Sequence, residues 1–189
     1  MRRTLNRVAA LAAGTAVLIG GHGAAAQAAG TPVGVDLAVN TTGLTISQPV
    51  TAVMLTGGAT PGTVLTGALG RTTVTDGRGT LLGWTVTATT TGHLVSTTDP
   101  QHTISLGSTG LAGPLRVGVP SVTSLATSLL QGVAPGAGGS LNPTTPVVLA
   151  TALLGLGGGE YEFNPALTFT VPPNTYAETY QTVVVQTIA

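Results

Sequence analysis

Two histidines and a carboxylate stand close together in the stretch GHLVSTTDPQH: His93, Asp99 and His102. Imidazole and carboxylate are legitimate metal ligands, and a turn at Asp99-Pro100 would bring the histidines toward each other. The spacing matches no helical His-x-x-x-His site and outer-shell carboxylates are scarce, so a solvated hairpin tip is the favoured reading and no metal is assigned. In GEYEF, Glu160 and Glu162 alternate with Tyr161. On a strand they share one face about 7 Å apart, a separation relevant to paired-carboxylate glycosidases. No Gly-x-Ser-x-Gly elbow is present, and the glycine stretches GGA and GLGGG lack a following Lys. Neither a serine-hydrolase triad nor a phosphate loop is therefore indicated. The expectation is a non-enzymatic protein with no catalytic residue, cofactor or metal.

Composition narrows the classes further. The chain has 189 residues, enough for one domain, and only 6% of them are charged, against roughly 25% in ordinary globular domains. Aromatics are 3% and Gly numbers 28. The core must come from Val, Leu, Ile and Ala, with Trp84, Phe163 and Phe169 as its largest members. Cysteine is absent, so neither disulfides nor a thiolate zinc site can hold the fold.

The first residues, MRRTLNRVAALAAGTAVLIGG, carry Arg2, Arg3 and Arg7 ahead of an apolar run, and small residues follow through AAAQAAG. This is the pattern of a secretory signal peptide over residues 1–28, with cleavage near Ala28 where Ala26 and Ala28 meet the small-residue requirement. The apolar run falls short of the ~20 residues a spanning helix needs, and no later stretch qualifies as a membrane span. After cleavage, Arg71, Arg78 and Arg116 face Asp36, Asp76, Asp99, Glu160, Glu162 and Glu178, a net charge of −3 with His neutral. With no lysine and no basic stripe, nucleic acid is an unsuitable partner.

The remaining residues, 29–189, read as one β-sandwich domain. Period-two alternation recurs in TPVGVDLAVN (Val33, Val35, Leu37, Val39) and in TGLTISQ (Leu44, Ile46). RTTVTDGRGTLLGWTVTATTT reads as two strands around a tight turn at Asp76 to Gly79. On the return strand Trp84, Val86 and Ala88 lie on a dry face, and Thr85, Thr87 and Thr89 on a wet one. HTISL and LRVGVP read as short strands, and residues 121–159 as a Gly/Pro-rich insertion. The start of that insertion, SVTSLATSLLQG, suits either one short helix or a pair of loops. At the C-terminus Leu167, Phe169 and Val171 alternate, Pro172 to Asn174 turn, and Thr179 to Ile188 form a closing strand. Its Val183-Val184-Val185 run is apolar on both faces, as in a strand interior to a sandwich. The sum is an all-β fold, an antiparallel sandwich of about 8–10 strands with at most one short helix.

Each candidate binding residue has a structural alternative. Trp84 is a ligand-stacking residue or, the favoured reading, a core plug alongside Val86 and Ala88. Asp76 and Arg78 are a charged pair or, favoured, ordinary turn residues. Tyr180 is a binding residue or, favoured, a ring packed at the sandwich edge with its hydroxyl on a backbone partner.

The stretch Val74, Thr75, Asp76, Arg78, Gly79, Gly83, Trp84, Thr85, Val86, Thr87, with a C-terminal strand opening at Tyr180 after VPPNTYAET, resembles a WxL-type cell-surface domain. Such domains are secreted β-rich modules of Gram-positive bacteria. The tripeptide here is Trp84-Thr85-Val86 rather than Trp-x-Leu, and the high Ala, Gly and Thr content suits an actinobacterial source. The resemblance implies Asp76, Arg78, Gly79, Gly83, Trp84 and Val86 as a structural motif. It also implies a secreted protein held non-covalently on the cell wall, with peptidoglycan, other wall polysaccharide or surface proteins as partners. Trp84, Thr85, Thr87, Thr89 and Tyr180 are then the candidate binding residues. The alternative function is a self-assembling or partner-binding surface-layer or adhesin subunit.

Overall fold

The computed structural model describes residues 13–19, 43–48, 53–57, 60–80, 82–107, 114–125 and 132–189. Among these residues all regular structure is β. Sixteen strands follow in order: β1 (Ala13–Ile19), β2 (Leu44–Ser47), β3 (Val53–Leu55), β4 (Val64–Ala68), β5 (Thr72–Asp76), β6 (Trp84–Thr90), β7 (Leu94–Ser96), β8 (Thr103–Ile104), β9 (Leu115–Val117), β10 (Val122–Ser124), β11 (Val133–Pro135), β12 (Gly139–Ser140), β13 (Val147–Ala152), β14 (Gly159–Phe163), β15 (Ala166–Thr170) and β16 (Tyr180–Ile188). They form an eight-stranded sheet, β11-β13-β6-β16-β1-β3 with β7 on β16 and β8 on β7. Two four-stranded sheets, β10-β14-β5-β2 and β12-β9-β15-β4, complete the molecule. Every pairing is antiparallel except β1 with β3.

The antiparallel sandwich is the one the alternation predicts, built from more and shorter strands than expected. The short strands read in HTISL and LRVGVP are β8 and β9, whereas others of two and three residues such as β3, β11 and β12 are too short to show a periodicity. No helix occurs among the described residues, so none is long and apolar enough to cross a membrane. Val122–Ser124, placed in the candidate helix, is β10 on the edge of β14; residues 126–131 of that stretch and the predicted strand at 33–39 lie outside the described residues.

Three expectations are corrected. The segments flanking Asp76 to Gly79 are not a hairpin. β5 belongs to one four-stranded sheet and β6 to the eight-stranded one, so the chain arches from one layer to the other. The Gly/Pro-rich stretch is no mere insertion: β13 pairs with β6 in the large sheet, and Leu149 and Ala150 are buried there. β16 is interior to its sheet as expected, but only one of its faces is covered, with Val184 buried and Val183 exposed.

β16 organises the large sheet. β6 and β7 are successive parts of one strand line along one of its edges, Val86 to Thr90 opposite Ile188 to Val184 and Val95-Ser96 opposite Gln181-Tyr180. Two extra residues bulge between them, and Thr182 Oγ1 donates to the Gly92 carbonyl at 3.0 Å in that bulge. β1, inside the segment read as a secretory leader, takes the other edge. The core lies between the layers: Trp84, Val86 and Val184 from the large sheet, Val74, Tyr161 and Phe163 from the second, Leu65, Leu115, Leu167 and Phe169 from the third. A fully buried Leu or Phe contributes about 1.5–3 kcal/mol relative to exposure, so apolar burial suffices in this cysteine-free chain.

Candidate functional site

The Asp76 to Trp84 stretch is built around a charged pair. Arg78 Nε donates to Asp76 Oδ1 and Nη2 to Oδ2, both at 2.9 Å, and the Arg78 backbone N–H also donates to Oδ1 at 3.1 Å. The side chains keep only 1% (Asp76) and 14% (Arg78) of their exposure. The favoured turn-residue reading is thus incomplete: Asp76 does close a local turn, but its main partner is the guanidinium, a bidentate fit. Arg78 Nη2 donates further to the Gly83 carbonyl at 2.6 Å, pinning the end of the arch. The guanidinium holds the Asp76 carboxyl below the usual carboxylate range, against the opposing effect of burial, and the carboxylate raises the Arg78 pKa in turn.

Gly83 is a geometric necessity. Its φ is +77°, and a Cβ there would stand 2.5 Å from the Ala152 carbonyl oxygen. The following Trp84 is 3% exposed. Its Nε1–H donates to the Gly157 carbonyl at 3.0 Å and its ring leans on Tyr161 at 5.8 Å between centroids. No ring face is open to a sugar, so Trp84 is removed from the binding residues and kept in the structural motif with the buried Val86. Tyr180 leaves the binding set for the same reason. It is 2% exposed, with no ring face open to a ligand. Burial pushes its pKa up.

The three threonines behave as expected of a wet face. Thr85, Thr87 and Thr89 alternate with buried Trp84, Val86 and Ala88 along β6. The register adds neighbours that sequence reasoning missed: Thr151 opposite Thr85, Val148 and Thr187 on either side of Thr87, and Val185 opposite Thr89. Thr87 and Thr187 hydroxyls are 2.8 Å apart and hydrogen-bonded. The result is an open face of hydroxyls and valine methyls with no ionisable residue on β6, β13 or β16 except the inward Tyr180. Thr187 was visible as an alternating position of β16; Thr151 was hidden by the irregular register of β13 between Val148 and Ala150.

The remaining candidates separate. His93 Nδ1 accepts the Leu106 N–H at 3.1 Å and does not join His102. The partner of His102 is Glu178, 3.0 Å from Nδ1, with Asp99 3.8 Å from Nε2 and the Tyr176 ring stacked at 3.9 Å. This cluster clips the tip of the β7–β8 hairpin to the segment before β16. Ser96, buried below it, accepts the N–H groups of Thr98 and Asp99, and Ser96 and His102, the neighbours of Glu178, lower its pKa. Among the described residues no group of three His, Cys, Asp or Glu side chains is placed to hold a metal ion. Glu162 is paired with Arg71 at 3.0 Å.

Comparison with protein-family models, with curated proteins and with solved structures found no match to this chain.

Proposed function

We propose that this is a secreted surface protein that associates non-covalently with the bacterial cell wall, through the threonine face of its large sheet. The observation that carries the reading is the chemistry of that face. Thr85, Thr87, Thr89, Thr151 and Thr187 alternate with Val148, Val183 and Val185 on adjoining strands, and Val148 and Val183 are both exposed. A glycan presents hydroxyls at its ring edges and C–H groups on its faces, and such a surface offers partners for both. The leader pattern at residues 1–28 and the resemblance to WxL-type domains support the same placement in the envelope. The Asp76–Arg78 pair, Gly83 and Trp84 act in this reading by fixing the start of β6, and hence the plane of its threonines.

The test is retention of the secreted protein on washed Gram-positive peptidoglycan sacculi. Replacing Thr85, Thr87 and Thr89 together by Ala removes three hydroxyls at about 0.5–1.5 kcal/mol each and should weaken binding by about tenfold or more without unfolding the sheet. Binding by the folded triple variant equal to that of the wild type would sink the reading, and the same conclusion follows if the wild type is not retained.

A further inference from the structure

Six side chains of this protein carry a tryptophan, tyrosine or phenylalanine ring. Five of them, Trp84, Tyr161, Phe163, Phe169 and Tyr180, are buried, and the sixth, Tyr176, is 60% exposed. A core short of large side chains would gain from another ring, because aromatics carry the largest apolar area per residue. Tyr176 instead stands on the surface, in the segment that leads into β16. One face of its ring stacks on His102, 3.9 Å between centroids and 9° from parallel. With that face covered, the exposure belongs to the opposite face and to the ring edges.

The base under the ring is well bonded. His102 Nδ1 lies 3.0 Å from both carboxylate oxygens of Glu178, and the Glu178 N–H donates to the Tyr176 carbonyl at 2.9 Å. The Thr97 N–H donates to the Thr179 carbonyl at 2.8 Å and the His102 N–H to the Asp99 carbonyl at 2.9 Å, which joins the β7–β8 tip to the segment before β16. On the other side of Tyr176, Thr175 Oγ1 donates to the Pro172 carbonyl at 2.8 Å. Asp99, with 46% of its side chain exposed, stands at the rim of the stack, Oδ2 3.8 Å from His102 Nε2. Its Oδ1 accepts the Gln101 N–H at 2.9 Å, and a carboxylate keeps acceptor capacity beyond these contacts. Neither the tip, residues 94–104, nor the segment 172–180 contains a Lys or Arg to compete for it.

We propose that the open face of Tyr176 is a binding site for one sugar ring of a glycan, with Asp99 accepting hydrogen bonds from its hydroxyls. A pyranose has a face of C–H groups that lies flat on an aromatic ring, and hydroxyls at its edge that need acceptors. Tyr176 meets the first and Asp99 the second. An ammonium ligand would call for rings on several sides, as in aromatic cages, and a single face is presented here. The stack on His102 sets the ring before a ligand arrives, which lowers the ordering cost of binding. This site rests on the reading of glycan association but is separate from the threonine face. β7 continues the strand line of β6 along β16, and the advance from Thr89 to Ser96 alone covers roughly 20 Å.

The test is calorimetric titration of the secreted protein with a soluble chitooligosaccharide. Tyr176→Ala should weaken binding by about tenfold or more, and Tyr176→Phe, which keeps the ring, by no more than about twofold. Asp99→Ala should weaken it several-fold. An unchanged urea midpoint separates a lost contact from a lost fold. In the unmutated protein the Tyr176 ring protons should shift during an NMR titration, a readout that needs no substitution. Unshifted ring protons, wild-type affinity in Tyr176→Ala, or binding of butylamine in place of the oligosaccharide would each overturn the site. Retention of the wild type on sacculi in those cases leaves the wall reading standing. Oligosaccharide binding lost in the Thr85, Thr87 and Thr89 variant and kept in Tyr176→Ala overturns the site too, and moves the contact to the threonine face. A wild type that binds neither the oligosaccharide nor sacculi overturns both readings.

Discussion

Gly83 and Trp84 are adjacent residues with opposite requirements, one tolerating no side chain and the other supplying the largest in the core. Gly83→Ala puts a Cβ against the Ala152 carbonyl at positive φ, and should cost about 1–3 kcal/mol in urea unfolding. Trp84→Ala leaves a cavity and frees the Gly157 carbonyl; a loss of about 3–5 kcal/mol is expected, enough to consume much of a domain's stability. Asp76 gives a pH signature. Its native pKa is lowered by Arg78, so the contribution of the pair is complete above the ordinary carboxylate value, about 3.9 in the unfolded chain. It is lost as the pH falls through the lowered native value. Asp76→Asn should therefore be less stable than the wild type at pH 7, and lose less of its urea midpoint between pH 7 and pH 3. An unchanged acid limb in the variant would show that Asp76 does not carry this dependence.

Strand β13 shows how an element's role follows from its neighbours. Val147, Leu149, Ala150 and Ala152 are buried while Val148 is exposed, because the register shifts beside β6 between Val148 and Ala150. Val148→Lys should change stability by no more than about 0.5 kcal/mol, whereas Leu149→Lys buries an unpaired charge and should prevent folding or shift the melting temperature far down. Equal effects of the two substitutions would contradict the register. The same pairing explains why the stretch looked like an insertion: APGAGGS and LNPTTP carry loop chemistry, and nothing in one sequence says that the six residues after them complete a sheet begun at Trp84. The C-terminal strand was legible because its alternation is long, nine residues from Tyr180 to Ile188.

For the whole molecule the low charge has a consequence for binding. Only Arg71, Arg78 and Arg116 are cationic beyond residue 28. Arg71 and Arg78 are paired with Glu162 and Asp76, and the threonine face is uncharged. Association with sacculi through that face should be nearly unchanged between low and physiological salt, since screening acts on exposed charges and few are present. A fall in retention of an order of magnitude over that range would place the contact elsewhere on the surface.

The sequence by itself determined the class of fold and which threonines of β6 face outward. Alternation over five or more residues commits a strand to one buried side, and the scarcity of charge and cysteine leaves apolar burial as the source of stability. Tertiary structure alone decided which strands are neighbours. It turned an apparent hairpin into an arch between layers and brought Glu178, not His93, to His102. It also set Thr151 and Thr187 beside Thr85 and Thr87. Pairings between residues a hundred or more positions apart are selected by the closing of the whole core, and period-two patterning says which face a residue takes, never which strand it will meet.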